Sequence, residues 1–321
     1  MPTTPTAAAE GSAGAAAAFK RVSAVLDSPP MHWVGDGFAV HGLFGPNTVG
    51  ARLSPFVLMD YAAPRHYEPA TAPRGVDQHP HRGFETVTVV YQGELEHRDS
   101  AGHSGSIGPG DVQWMTAASG VVHEEKHSAA FTQRGGTMEM AQLWVNLPAA
   151  HKMDAPRYQT LLKASIPVVE LPNKAGTVRV IAGDFRTTHG AARTVTPVIL
   201  WDLALNDGAT ADLPAPDGFT FNLFVRSGTL VVGSTVASPG TAASPGTAAS
   251  PGTVAAAGTL VVMDRAGSGV RVTAQGPCTA LILGGQPLNE PVASYGPFVM
   301  NTPAEVQQAI ADYRAGRMGS L

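Results

Sequence analysis

The chain has 321 residues, of which 44% are hydrophobic, so it can bury a sizeable core over about two domains. Charged residues make up only 14% and the formal net charge is −4, which argues against binding nucleic acid or an anionic membrane through bulk charge. A single cysteine, Cys278, excludes a disulfide framework and a cysteine-based zinc or iron–sulfur site.

The N-terminal segment, MPTTPTAAAEGSAGAAAA, has neither the basic start nor the leucine-rich centre of a secretory signal. Its composition predicts a disordered tail over residues 1–18. The chain also lacks an apolar run of about 18 residues, so we expect no transmembrane helix. A cytoplasmic monomer is the expectation from these features.

Residues 19–150 contain short apolar runs separated by glycine, proline and aspartate, which predict an antiparallel β-barrel. With 36 glycines and 26 prolines, the whole chain favours an all-β protein. The connector from Asn146 to about Lys174 is interrupted by prolines and is compatible with a helical turn or a strand. The clearest strand-length runs are Phe56–Met59, Thr86–Tyr91, Val112–Met115, Val121–His123 and Leu143–Val145.

A second set of strand-length runs predicts another barrel over residues 151–290. Inside it, residues 238–253 repeat the motif SPGTAA, which has no apolar face to bury and predicts a flexible hairpin insertion. The runs are Val178–Ala182, Val198–Leu205, Phe219–Val225, Leu230–Val232, Leu260–Met263, Val270–Thr273 and Thr279–Leu283.

The C-terminal segment, residues 291–321, predicts one amphipathic helix. Thr302 is a candidate N-cap, Pro303 occupies the first helical position, and Glu305 completes a capping box. Gly316 can end the helix. Apolar residues at helical spacing then form the face that we expect to pack on the β core: Val306, Ala309, Ile310 and Tyr313.

The two halves of the chain contain related segments. VVYQGEL at 89–95 aligns with FVRSGTL at 224–230, an offset of 135 residues, and GDVQWM at 110–115 aligns with GTLVVM at 258–263. The second offset is 148 residues, and the additional 13 residues are accounted for by the SPGTAA insertion. The alignment predicts two copies of one β unit.

Two pairs of residues at i, i+2 spacing indicate a metal site in the first copy. His79 with His81, and His123 with Glu125, place their side chains on one face of extended backbone, and Glu85 shares the parity of the first pair. Three neutral imidazoles and a carboxylate suit Fe(II), Mn(II), Ni(II), Cu(II) or Zn(II). From parity alone, either Glu85 or Glu125 can be the fourth ligand.

The second copy lacks these groups, and the other histidines of the first copy have weaker signals. The positions offset by 135 from His79, His81 and Glu85 are Pro214, Pro216 and Thr220, so we predict one metal ion per chain. His97 and His127 are expected at the surface, with a lining or hydrogen-bonding role as the alternative for His97. Trp114 and Trp144 are expected in the barrel core, with substrate stacking as the alternative for one of them.

Several segments resemble the pirin family, a branch of the cupin superfamily, over residues 20–316. The resemblance implies a bicupin, two facing antiparallel β-barrels with metal only in the first, and it implies His79, His81, His123 and Glu125 as ligands. The general cupin pattern would use Glu85 instead, which we place beside the ligands. The segments are HPHRGFET (79–86), PGDVQWMTAASGVVHEE (109–125), QLWVNLP (142–148), KMDAPRYQ (152–159), VRVIAGDF (178–185) and GPFVMNTPAEVQQAI (296–310).

The resemblance implies one of two functions. The first is a quercetin 2,3-dioxygenase, in which one divalent metal, expected to be Fe(II), holds a flavonol near O2 and Glu125 also acts as the catalytic base. The second is a metal-dependent regulatory protein without turnover, which binds a transcription complex or a metabolic enzyme. In both, the chain is expected to contact neither nucleic acid directly nor a membrane.

Overall fold

The computed structural model describes residues 19–46, 48, 52–233 and 252–321. The predicted tail, residues 1–18, and residues 238–251 of the predicted insertion lie outside the described residues. β-strands dominate the described chain, and neither of its two α-helices has the length and apolar composition needed to cross a bilayer.

The elements of the first half alternate with turns rich in glycine and proline. One short helix, α1 (Ala129–Arg134), interrupts them. The strands are β1 (Val22–Asp27), β2 (His32–Val34), β3 (Phe38–Phe44), β4 (Phe56–Tyr67), β5 (Gly75–His81), β6 (Phe84–Gln92), β7 (Leu95–Asp99), β8 (Ser104–Ile107), β9 (Val112–Thr116), β10 (Val121–His127), β11 (Gly136–Asn146) and β12 (Arg157–Leu161).

The second half begins after a connector with 3-10 turns at Ala149–His151, Lys163–Ser165 and Pro172–Lys174, and it ends in helix α2 (Pro303–Arg314). Its strands are β13 (Val168–Glu170), β14 (Gly176–Ala182), β15 (Asp184–Phe185), β16 (Thr188–His189), β17 (Val198–Leu205), β18 (Thr210–Pro214), β19 (Thr220–Val232), β20 (Thr253–Ala256), β21 (Thr259–Met263), β22 (Gly269–Gly285), β23 (Ala293–Tyr295) and β24 (Phe298–Met300).

The two halves have the same central strand order, which confirms the predicted all-β fold. A seven-stranded sheet runs β12-β9-β6-β11-β4-β3-β2, and a nine-stranded sheet contains β1-β21-β19-β22-β17-β14-β13. The segments aligned in the sequence lie in β6 and β19 and in β9 and β21, which pair in the same way in each sheet. A four-stranded sheet, β5-β10-β7-β8, completes the first unit.

The two units exchange their edge strands. Strand β1 is N-terminal, but it pairs with β21 of the second unit. Strand β12 lies within the connector, and it pairs with β9 of the first unit. Each exchange covers a sheet edge that would otherwise present unpaired backbone groups.

The predicted runs lie within strands except for Phe219, which precedes β19, and two pairs of runs merge into single strands. Residues 219–225 and 230–232 belong largely to β19, because the break between them is absorbed by irregular register next to Gly228, which has a φ of 75°. The runs at 270–273 and 279–283 merge in β22. Helix α1 had no sequence prediction, since six residues are too few to show a helical period.

Helix α2 confirms the predicted C-terminal helix and its cap. The Thr302 hydroxyl accepts the amide of Glu305, and the Glu305 carboxylate accepts the amide of Thr302. Val306 and Ala309 are buried, whereas Tyr313 is 40% exposed, so the buried face is narrower than predicted. The helix packs beside Val122 of β10, and this contact brings the C-terminal segment to the first unit.

Candidate metal centre

The i, i+2 histidine pair and the later His–Glu pair lie on adjacent antiparallel strands. In the register of β5 and β10, His79 is opposite His123 and His81 is opposite Val121. The register shifts between His123 and Glu125, so that Glu125 faces Val76. Strand pairing therefore brings together residues that are more than 40 positions apart in the sequence.

Three imidazoles converge at this point. The ring centroids of His79 and His123 are 4.3 Å apart, those of His79 and His81 are 4.7 Å apart, and those of His81 and His123 are 4.8 Å apart. Their nitrogen ligand atoms lie within 4.8 Å of one another. This spacing is suited to three nitrogens of one coordination sphere after small side-chain movements.

Hydrogen bonding leaves the metal-facing nitrogens free to bind. His79 Nδ1 lies 2.8 Å from the carbonyl oxygen of Asp77, and His81 Nδ1 lies 3.4 Å from that of Pro297. A carbonyl can only accept, so in each ring Nδ1 carries the hydrogen and Nε2 keeps its lone pair. These two Nε2 atoms are 3.1 Å apart, and the buried His123 Nε2 has no partner among the described residues. The residues fit a divalent cation.

Burial keeps the imidazoles in the form that binds metal. It lowers the pKa of both His81 and His123 well below the usual value, and the neighbouring histidines add to the effect. A neutral ring is the ligand form of histidine, so the centre needs no proton release from these two residues at neutral pH.

The Glu125 carboxylate is held by amide donors from two other strands. Gln113 Nε2 donates to Oε1 at 3.0 Å and Gln142 Nε2 donates to Oε2 at 3.1 Å. A carboxylate only accepts, so both amides turn their nitrogen towards Glu125, and their oxygens then accept from the Tyr158 and Thr88 hydroxyls. Glu125 therefore has a defined position and keeps capacity to accept another hydrogen bond.

Glu125 lies nearer to a second group of ligand atoms than to the first. His97, His123 and Glu125 offer atoms within 4.8 Å of one another, whereas no group of that size in the described chain contains Glu125 together with His79 or His81. His123 belongs to both groups. A cation held by all four predicted ligands therefore requires side-chain adjustment around Glu125.

Glu85 is fully buried on β6, and neither group of ligand atoms in the described chain includes it. Its Oε1 accepts a hydrogen bond of 2.7 Å from Thr116, and its Oε2 has no partner among the described residues. Burial raises the pKa of Glu85. The structure thus gives no support to Glu85 as the fourth ligand. Glu124 points to the other side of β10 and pairs with Arg98.

The surface positions predicted for His97 and His127 are wrong. His97 is 4% exposed and stacks on Tyr158, with ring centroids 4.8 Å apart. His127 is 1% exposed, and its Nε2 donates to the Gly37 carbonyl, because a carbonyl only accepts. Both residues have the inward parity of their strands, which is the local signal compatible with their burial.

A cavity of about 220 Å³ adjoins the histidines. Trp144 lines it and stacks on Phe84 with centroids 4.2 Å apart, while Trp114 is fully buried in the core. Asp60, which the sequence patterns did not indicate, also lines the cavity. Burial raises the pKa of this carboxyl to about 6, and the charge of His32 opposes the increase. The apolar lining residues are Val34, Phe38, Val40, Val76, Met140, Trp144 and Pro297.

The C-terminal segment supports the site from outside. Arg82, next to His81, donates to Asp312 of α2 at 2.7 Å and to the Ser119 carbonyl at 2.6 Å. At Gly83 a Cβ atom would lie 2.0 Å from the Val299 carbonyl oxygen, so only glycine permits this approach. These contacts explain why the strand that carries His81 depends on residues near the end of the chain.

The paired units, with the histidine clusters of the described residues all lying in the first, define a bicupin with a candidate metal centre. Comparison with known proteins shows that the chain belongs to the pirin family: the Pirin model matches residues 37–145 and the Pirin C-terminal cupin domain matches residues 200–319. This confirms the resemblance seen in the sequence.

Two relatives and one solved structure illustrate the similarity. A Pseudomonas aeruginosa protein named "Putative quercetin 2,3-dioxygenase" is 49% identical over 93% of this chain and 98% of its own length. Human pirin is 36% identical over 83% of each chain. A crystal structure of quercetin 2,3-dioxygenase from Acinetobacter baumannii is 44% identical, covers 94% of this chain and 99% of that one, and superposes with a TM-score of 0.87.

Proposed function

We propose that the protein is a metal-dependent dioxygenase that cleaves flavonols of the quercetin type. The observation that carries the proposal is the depth of the centre: His123 is fully buried and His81 is 3% exposed, beside an apolar cavity. A protein that only presented its metal to a partner could leave the ion shallow. The relatives that bear the name quercetin 2,3-dioxygenase, at 49% and 44% identity, support the same reaction class.

In this proposal His79, His81 and His123 hold one divalent ion, with Fe(II) as the expected metal and Glu125 as the fourth ligand. Bound there, the ion would supply Lewis-acid chemistry and a place for O2 beside the substrate. The three imidazoles contribute no negative charge, so Glu125 is the group that partly neutralises the cation.

Glu125 also serves as the proposed proton acceptor. A flavonol binds a cation best after its 3-hydroxyl loses a proton, and a carboxylate near the centre can take it. Gln142 occupies one acceptor position of Oε2, which leaves the other for the substrate proton. The amide donors on both oxygens keep the carboxylate aimed while the proton moves.

The cavity wall positions a flat aromatic substrate. Phe38, Met140 and Trp144 line one continuous cavity with His79 and His81. An apolar wall excludes water and favours the face of an aromatic ring, so the reacting hydroxyl is the part of the substrate that reaches the polar centre. Asp60 is the other carboxyl on this wall.

The proposal is tested by oxygen uptake and carbon monoxide release. Protein loaded anaerobically with Fe(II) is mixed with quercetin in air, and both gases are followed. The substrate control is the matching flavone without the 3-hydroxyl, which should not react. The protein control is His81→Ala.

Quercetin-dependent uptake of O2 with release of carbon monoxide, absent in both controls, supports the proposal. Metal-loaded protein that consumes no O2 with Fe, Mn, Ni, Cu or Zn would overturn it. In that case capture of protein partners by metal-loaded and metal-free protein is the experiment for the regulatory alternative.

A further inference from the structure

A line of polar contacts leads away from the metal-facing side of His123. Its Nδ1 lies 3.3 Å from Nδ1 of His97, and Nε2 of His97 lies 3.3 Å from Oδ2 of Asp99. Asp99 is 5% exposed. All three residues are buried, so the contacts are shielded from competing water.

Asp99 is held so that it can only accept. The backbone amides of Ala101 and His103 donate to its Oδ1 at 2.9 and 3.0 Å. Its Oδ2 therefore faces His97, and His103 Nδ1 lies 3.1 Å away on the other side. Because backbone amides cannot reverse their direction, the orientation of the Asp99 carboxylate is determined by the chain itself.

This orientation determines the hydrogen positions along the line. A carboxylate oxygen accepts, so His97 Nε2 carries the hydrogen and His97 Nδ1 presents a lone pair. Gln113 Nε2 also points at that nitrogen, at 3.4 Å, as it would at an acceptor. His123 Nδ1 must then donate to His97, which leaves the lone pair of His123 on Nε2, the atom without a partner among the described residues.

The alternative is that His97 is itself a ligand, since it shares a group of ligand atoms with His123 and Glu125. A cation there would need the Nδ1 lone pairs of both His97 and His123. The hydrogen of His123 would then lie on Nε2, pointing towards the free lone pairs of His79 and His81 without a metal between them. The Gln113 amide already occupies the approach to His97 Nδ1.

We propose that His97, oriented by Asp99, is a positioning residue that selects which nitrogen of His123 faces the metal. The inference rests on the metal centre in the proposed function and not on turnover. Groups that orient ligating histidines typically change metal affinity by 10–100-fold when they are lost.

The sharpest test is the isosteric variant Asp99→Asn. The amide oxygen must stay on the backbone donors, so the amide nitrogen lands opposite His97 Nε2 and donates to it. The hydrogen of His97 then moves to Nδ1, and that of His123 moves to Nε2. We expect Fe(II) or Co(II) to bind about 10–100-fold more weakly, measured by competition with a chelator.

NMR of the imidazole nitrogens in the metal-free full chain reports which nitrogen carries the hydrogen. A loss of rigidity alone would not change that position. In the wild type the His123 hydrogen should lie on Nδ1, and in Asp99→Asn it should lie on Nε2. The matched control is His127→Phe, a buried histidine on the same strand that packs among Phe38, Tyr67 and Phe131 away from the cation. It should leave metal affinity and the His123 tautomer unchanged.

If Asp99→Asn does not fold, His97→Phe replaces it, because the ring keeps its stacking on Tyr158 while the acceptor is lost. Unchanged affinity and unchanged tautomer in the folded variant would overturn the inference. So would X-ray absorption showing one imidazole fewer around the metal in His97→Phe, which would make His97 a ligand. Absence of flavonol turnover with these shifts intact overturns the proposed function alone.

Discussion

The two units have the same central strand order, but the side chains in their interiors differ in polarity. In the second unit Trp201 and Phe185 meet edge to face, with ring centroids 5.0 Å apart, inside a cluster of buried hydrophobic residues. In the corresponding space of the first unit three imidazoles, Glu125 and two glutamines converge. One sheet topology therefore supports either a packed core or a ligand site, and the inward side chains decide which.

Both units contain buried polar atoms without partners among the described residues, and in the second unit these include Trp201 Nε1 and Asn222 Oδ1. Buried polar atoms without partners lower stability. In the described part of the first unit they include His123 Nε2 and Glu85 Oε2. Such unsatisfied groups are expected where a fold serves binding or catalysis. Three substitutions and one deletion test this difference between the two units.

The largest expected effect is loss of the metal. His81→Ala removes one of the three converging imidazoles, and an ion left with fewer ligands is poorly held. We expect elemental analysis to find roughly one metal ion per chain in the wild type and almost none in the variant. Pro216→Ala, at the exposed position that corresponds to His81 in the second unit, should keep the full metal content. Two ions per wild-type chain would contradict the assignment of metal to one unit.

The next effect separates the two glutamates. Glu125→Gln keeps the volume but cannot accept a proton, and its amide nitrogen would meet the amide donor of Gln113 or Gln142. We expect flavonol turnover to fall by roughly 100-fold or more with a modest loss of metal. Glu85→Gln should retain more activity. Loss of metal in Glu85→Gln but not in Glu125→Gln would instead support the general cupin pattern.

A smaller effect concerns the charge that the first unit buries at Asp60. The folded state raises the pKa of this carboxyl from 3.8 to about 6, so its favourable contribution is present below pH 3.8 and is lost as the pH rises through 6. Asp60→Asn carries no charge, so it should be more stable than the wild type at pH 8 by about 1–3 kcal/mol, and by less at pH 4.

Urea unfolding of the metal-free protein at both pH values measures this difference. The exposed Asp27 of β1 provides the control substitution, Asp27→Asn, in the second sheet. Equal stability of Asp60→Asn and wild type at pH 8 would show that the cavity carboxyl is well solvated. Other ionisable side chains lie near Asp60, so the comparison is made between variants at each pH and not along one curve.

The smallest expected effect lies in the second unit. Deletion of residues 238–251, between the end of β19 at Val232 and the start of β20 at Thr253, removes no apolar side chain larger than alanine. Shortening a connection of this length changes the loop-closure entropy little. We expect unchanged metal content and a melting temperature within about 5 °C of the wild type by calorimetry, which corresponds to roughly 1 kcal/mol. A larger decrease would show that the segment stabilises the fold.

The class of fold, the repeat and the histidines of the candidate metal centre follow from local patterns in the sequence. Strand-length runs predicted β structure because side chains on extended backbone alternate with a period of two, and the same period placed His79 with His81 and His123 with Glu125. Helix α2 was predicted from its cap for an equally local reason. His97 has inward parity too, but parity alone does not distinguish a barrel interior from a solvated sheet face.

The hydrogen-bond partners of those residues depend on contacts that form only in the tertiary structure. Gln113 lies in β9 and Gln142 lies in β11. Gln113 also accepts a hydrogen bond from Tyr158, which lies in the edge strand β12 within the connector. Asp60 is one acid in an apolar run, and nothing local shows that it faces the histidine cavity. Strand exchange and the support of Arg82 by Asp312 are likewise contacts over long sequence separations. Local patterns record which face a side chain occupies; register and packing decide what it meets there.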